Sequence, residues 1–123
     1  MKKHNLDLIY KKYSEKELEN NIHLFGFYDW RFISKYQILS EKFIEKHSNK
    51  VTWNDISACQ TLSEDFIEKH SYELNWYEIS FYHKLSEEFI KKHIDKIDIY
   101  WLMENKNISE KIKEEIKTLE DII

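Results

Sequence analysis

One phrase recurs along this chain at intervals of 23 residues, and nothing else in the sequence restricts the fold so tightly. Leu39, Leu62 and Leu85 open it, and Trp30, Trp53 and Trp76 fall on the same beat. In each copy a Ser follows a large apolar residue and a Glu follows the Ser, at Leu39-Ser40-Glu41, Leu62-Ser63-Glu64, Leu85-Ser86-Glu87 and Ile108-Ser109-Glu110. A Ser at that point is a helix N-cap, and the acid beside it suits the positive end of the helix dipole. Leu39 with Ile44, Leu62 with Ile67 and Leu85 with Ile90 have the spacing of a hydrophobic staple across the cap. Lys46-His47, Lys69-His70 and Lys92-His93 then bring cationic side chains to the negative end, where this first helix, helix A, stops.

A second start signal lies at Asp29, Thr52, Asn75 and Asp98, all cap-forming residue types. It opens helix B, with Tyr28/Ile33, Val51/Ile56, Leu74/Ile79 and Ile97/Leu102 as staple pairs. Helices of about two turns do not hold together alone in water, because nucleation costs more than so few hydrogen bonds return. Stacking must supply the difference, through a core built on Phe43, Phe66, Phe89 and the three tryptophans. The expected fold is all-α, an α-solenoid of short helix-turn-helix repeats with capping helices at both ends. The absence of Pro and the single Gly agree with short corners made by Asn, Ser, Asp and His.

The expected organisation of the 123 residues is a single repeat domain: an N-terminal capping helix over 1–13, repeats over 14–38, 39–61, 62–84 and 85–107, and a C-terminal cap helix over 108–123. The cap would bury a stripe of Ile112, Ile116, Leu119 and Ile123. Ser14 to Ser40 is 26 residues instead of 23, so repeat one carries three extra residues around His23 to Phe27, a place for a contact-bearing loop. The net charge of −4 is spread as mixed signs, which weighs against non-specific DNA binding. No apolar run reaches membrane-spanning length and the N-terminus has no signal-peptide core, so no membrane association and a cytoplasmic location, including a host-cell cytoplasm, are expected. The lone Cys59 forms no internal disulfide.

The phrase L-S-E-x-F-I-x-K-H followed by V/L-x-W-x-x-I-S, at Leu39 to Ser57 and Leu62 to Ser80, resembles short α-helical repeats in proteins of giant DNA viruses and some phages. The likeness covers about residues 14 to 112. It implies a scaffold with no shared active site and, by analogy, a viral or phage protein that binds and inhibits a host protein such as a defence component.

Little in the sequence reads as chemistry. His47, His70 and His93 recur one repeat apart, about a helix-stacking distance, which is too far for ligands converging on one metal. Capping and packing account for them, and protonation of half-buried rings would then weaken the fold in mild acid. Glu41, Glu64 and Glu87 serve helix starts, Ser40, Ser63 and Ser86 are caps, and Gly26 stands alone with no phosphate loop around it. The expectation is a non-enzyme with no cofactor and no metal.

Specificity must then sit where copies differ. Along helix B those positions carry Arg31, Lys35, Tyr77, Phe81, Tyr82, Tyr100 and Trp101, residue types that anchor interfaces, and these are the expected partner-binding residues. Two roles follow: a protein-binding scaffold with a host-encoded partner, or a single-stranded RNA or DNA binder whose tyrosines stack on bases while Arg31 and Lys35 follow phosphates. The acidic balance and the single Arg weaken the second.

Overall fold

The protein is an all-α helical-repeat protein. A computed structural model describes residues 3–122, with side chains at the C-terminal helix described to 119. Among them are nine short α-helices and one 3-10 turn, in two compact units, Met1–Gln60 and Thr61–Ile123. In the first unit α1 (Glu15–Asn20) and α3 (Glu41–Lys46) are A helices, and α2 (Phe27–Tyr36) and α4 (Trp53–Cys59) are B helices. In the second, α5 (Glu64–Lys69) and α7 (Glu87–Lys92) are A helices, α6 (Trp76–Tyr82) and α8 (Ile99–Met103) are B helices, and α9 (Glu110–Ile122) follows.

Within each unit B helix packs on B helix, α2 on α4 and α6 on α8. Ile33 and Ile56 in the first pair, and Ile79 and Leu102 in the second, have no exposed surface. The A helices add Leu18 and Ile44 to one core and Ile67 and Ile90 to the other, all fully buried. Each such side chain contributes roughly 1.5–3 kcal/mol on burial, which is what makes helices this short persist.

The Ser caps form as the spacing predicts. The hydroxyls of Ser40, Ser63 and Ser86 accept the backbone N–H of Phe43, Phe66 and Phe89 at 3.1 Å, and Ser14 with Glu17 makes a full capping box. The caps also tie repeats together. Ser40 donates its N–H and hydroxyl to the two oxygens of Glu15 at 2.6 and 2.8 Å, and Ser86 does the same to Glu64 at 2.6 and 2.9 Å. One carboxylate therefore sits favourably at its own helix start while accepting two charge-assisted bonds from the next A helix.

The tryptophans share their surroundings. Trp30 lies on Phe43 and His47, with ring centroids 6.4 and 5.3 Å away, and Trp76 lies on Phe89 and His93 at 6.2 and 5.8 Å. Trp53 and Trp76 both donate their indole N–H five residues back, to the carbonyls of Ser48 and Ser71.

A buried amide clamp completes the frame. Gln60 donates to the carbonyls of Ser34 and Gln37 at 2.9 and 2.7 Å and accepts the N–H of Leu39 at 3.0 Å. Gln37 donates to the carbonyls of Leu8 and Lys11, each at 2.7 Å, and accepts the N–H of Tyr13 at 3.0 Å. These bonds satisfy the carbonyls left over at the end of a B helix and the amide that leads into the next A helix.

Three expectations need correction. Residues 3–13 form no capping helix: they make a single turn, in which the Lys11 N–H bonds the Asp7 carbonyl at 3.2 Å. With the 26-residue offset of repeat one, Lys11 matches Gln37, Leu8 matches Ser34 and Tyr13 matches Leu39, so this turn stands where later repeats have the end of a B helix, and it is gripped in the same way. Helix α2 starts at Phe27 with Gly26 as N-cap, not at Asp29. The three extra residues went into a 3-10 turn at Ile22–Leu24 and an earlier helix start, which leaves Asp29 in the first turn, accepting the Gly26 N–H at 2.9 Å, and Tyr28 exposed instead of stapled. His4 fixes the N-terminal segment to this point: its Nδ1 accepts the Leu6 N–H, so the proton sits on Nε2, which donates to Asp29 Oδ1 at 3.0 Å. Finally, not every position at which the copies differ is a contact: Asn105, which aligns with Tyr36, Cys59 and Tyr82, is fully buried. It takes the clamp role one residue early, donating to the carbonyls of Ser80 and His83 at 2.7 and 2.8 Å.

The C-terminal helix behaves as a cap should: Ile116 is fully buried, and Ile112 and Leu119 are half-buried. Ile123, the last member of the expected stripe, lies outside the described residues. Lys113 occupies the staple position, with its stem buried and its ammonium 3.5 Å from Glu110.

Candidate interaction surface

The frame holds its variable residues out to solvent, and in the second unit these are aromatic. Ile79 and Ser80 point α6 into the core, so Tyr77 and Phe81, one turn apart, share the opposite face. Leu102 does the same for α8, turning Tyr100 and Trp101 outward. Phe81 joins the two helices: its ring is 5.2 Å from Trp101 and 4.7 Å from Tyr82, near perpendicular to both at 71° and 69°. Tyr100 stands at 90° to Trp101, 5.0 Å away. Tyr77 is 61% exposed, Tyr100 67%, Tyr82 49% and Trp101 38%. Against this cluster lies a hollow of about 210 Å³ lined by Phe81, Tyr82, Glu104, Lys106 and Asn107. Asn107 fixes its rim by donating to the Tyr82 carbonyl at 2.8 Å.

Arg31 and Lys35 belong to the first unit and stand on α2. Arg31 lies 3.8 Å from the Asp55 carboxylate, and the Lys35 ammonium sits 5.3 Å over the Tyr36 ring. Arg31 also borders a hollow of about 400 Å³ with Phe27, Thr52, Trp53, Asn54 and Asp55. Phe27 and Tyr28, both exposed and 5.4 Å apart, add an aromatic pair here. The three-residue insertion signalled this site, while the residue spacing put Tyr28 in the core.

The residues weighed for chemistry are engaged in structure. His47 and His93 close helix ends, and each turns its Nε2 to a glutamate of the preceding A helix, Glu19 at 2.5 Å and Glu68 at 3.0 Å. Lys46 and Lys92 reach the same two carboxylates at 3.4 and 2.6 Å. The bond from His47, with Lys46 adding charge, lowers the carboxyl pKa of Glu19 below its ordinary range. Lys92 first and His93 second do so for Glu68. Protonation of Glu19 or Glu68 would therefore remove the charged partner of both a Lys and a His on the next A helix. Among the described residues no three His, Cys, Asp or Glu side chains converge as a metal site would require, and no helix is long and apolar enough to cross a membrane.

Set beside known proteins, the chain matches no family model, no curated sequence and no solved structure.

Proposed function

We propose that the protein is a non-enzymatic protein-binding scaffold whose main contact surface is the aromatic face of α6 and α8. The observation that carries this proposal is the cluster of Tyr77, Phe81, Tyr82, Tyr100 and Trp101, held outward by a fully buried Ile79, Ser80 and Leu102. Large exposed rings cost solubility and contribute nothing to the core, and Tyr and Trp on a rigid frame are the residues that dominate interface energetics. The resemblance to giant-virus and phage repeats points to a host protein as the partner, met inside the cell.

Capture from host extract tests this, using the chain and its Tyr77→Ala/Tyr100→Ala variant. The variant should keep its helical circular dichroism spectrum and lose the partner. Undiminished capture by the variant would contradict the proposal, and a gel shift of mixed-sequence RNA or single-stranded DNA at low salt would favour base stacking instead.

A further inference from the structure

Charge is divided unevenly between the two units, and the aromatic face lies in the acidic one. Residues 1–60 carry ten Lys and Arg against eight Asp and Glu, net +2. Residues 61–123 carry nine against fifteen, net −6, and together these make the −4 of the whole chain. The same division holds at the face itself. From cap to cap, α6 and α8 bear Glu78, Asp98 and Glu104 and no Lys or Arg. Of these, Asp98 is occupied as an N-cap, accepting the Trp101 N–H at 3.0 Å, and Glu104 is exposed.

We infer that the partner presents a basic segment, with Arg or Lys side chains laid on the rings of Tyr77, Tyr100 and Trp101 and their charge answered by Glu78 and Glu104. This rests on the scaffold function proposed above and names the chemistry of its partner. Three physical terms agree. The faces of Tyr and Trp rings attract a cation, the perpendicular settings of Tyr100 on Trp101 and Phe81 on Trp101 each occupy one ring face where a stacked pair would occupy two, and the surrounding field of the −6 unit draws cationic chains and repels polyanions. Among the described residues that line the small hollow, Lys106 is the one cation, beside Glu104, and it repels a basic segment at that rim. Nucleic acid, whose phosphates would meet Glu78, Asp98 and Glu104, is disfavoured at this face by the same field.

The test uses the full chain and three labelled synthetic peptides of equal length, alternating Gly with Arg, with Glu or with Ser, titrated by fluorescence anisotropy, with the indole N–H signals followed by NMR. The Arg peptide should bind, shift the Trp101 indole signal, and weaken as salt is raised. Glu78→Lys/Glu104→Lys should weaken it by about tenfold or more, whereas Glu115→Lys on α9 should change it by less than about twofold. Equal losses from both variants would mean diffuse attraction to an acidic unit and would overturn the inference. So would failure of the Arg peptide to bind. If the Glu or Ser peptide binds at Trp101 in its place, the basic partner is wrong while the scaffold function survives, because host capture decides that separately.

Discussion

Gln60 donates its side-chain amide to the backbone carbonyl of Gln37 at 2.7 Å, and Gln37 makes the same bond to Lys11 at the same distance. Each glutamine thereby closes the chain turn one repeat earlier and holds the amide that leads from it into the next A helix. Both are almost wholly buried, at 6% and 2% exposure, so the polar groups they satisfy have no water to fall back on. Gln60→Leu keeps the volume and removes three bonds. At about 1 kcal/mol for each bond lost, and more for each buried group left without a partner, the variant should lose about 2–4 kcal/mol in urea denaturation.

The bond from Ser40 to Glu15 gives a second prediction. Glu15→Ala removes the acceptor of both the N–H and the hydroxyl of Ser40 but leaves the Ser40 cap on Phe43 in place. A loss of about 1–2 kcal/mol is expected. Ser40→Ala should cost more, since the cap goes as well, at about 1 kcal/mol. The two variants combined should lose less than the sum of their separate effects, as in any double-mutant cycle across a contact.

Acid stability follows from Glu19. Its carboxyl pKa is lowered in the folded chain, chiefly by the bond from His47. A group with a depressed folded pKa contributes stability that is present above its unfolded pKa and is lost as pH falls through the folded one. The melting temperature should therefore drop in the acidic range below ordinary carboxylate titration, and Glu19→Gln should flatten that drop. A fall centred where histidine titrates, unaltered by Glu19→Gln, would count against the pairing.

How much of this could be read from the residues depends on whether a role keeps one residue type. The A-helix caps all use Ser, and at Ser40, Ser63 and Ser86 a Phe follows three residues on, so these caps and the helices they open were legible. The clamp was not. Its position carries Gln37, Gln60 and His83 along the 23-residue beat, and in repeat four Asn105 does its work one place early, so no column of identical letters marks it. Glu64 reads as fully explained by its own helix dipole, and only geometry shows that it, like Glu15, also holds the Ser cap of the next A helix. The start of α2 was misplaced because Asp29 is on the beat, yet three inserted residues let the helix begin at Phe27 and left Asp29 to bond the Gly26 N–H from inside the first turn. At the aromatic face the sequence shows which residues vary, but the contacts of Phe81 with both Tyr82 and Trp101 depend on how α6 lies on α8.

The tyrosines of the face should be dispensable for folding. Tyr77 and Tyr100 are each more than half exposed, and surface substitutions of that kind move stability by about 0.5 kcal/mol or less. Phe81→Ala should behave differently, because its ring is half-buried between Tyr82 and Trp101, and should cost about 1–2 kcal/mol.

The division of labour between frame and face is tested most directly by measuring the melting temperature and partner binding of Gln60→Leu and Tyr100→Ala together. Gln60→Leu should melt well below the unaltered chain while its remaining folded fraction still binds, and Tyr100→Ala should melt with the unaltered chain and bind poorly. A Tyr100→Ala variant that melts as early as Gln60→Leu would show the aromatic face to be part of the core, and the account would fail.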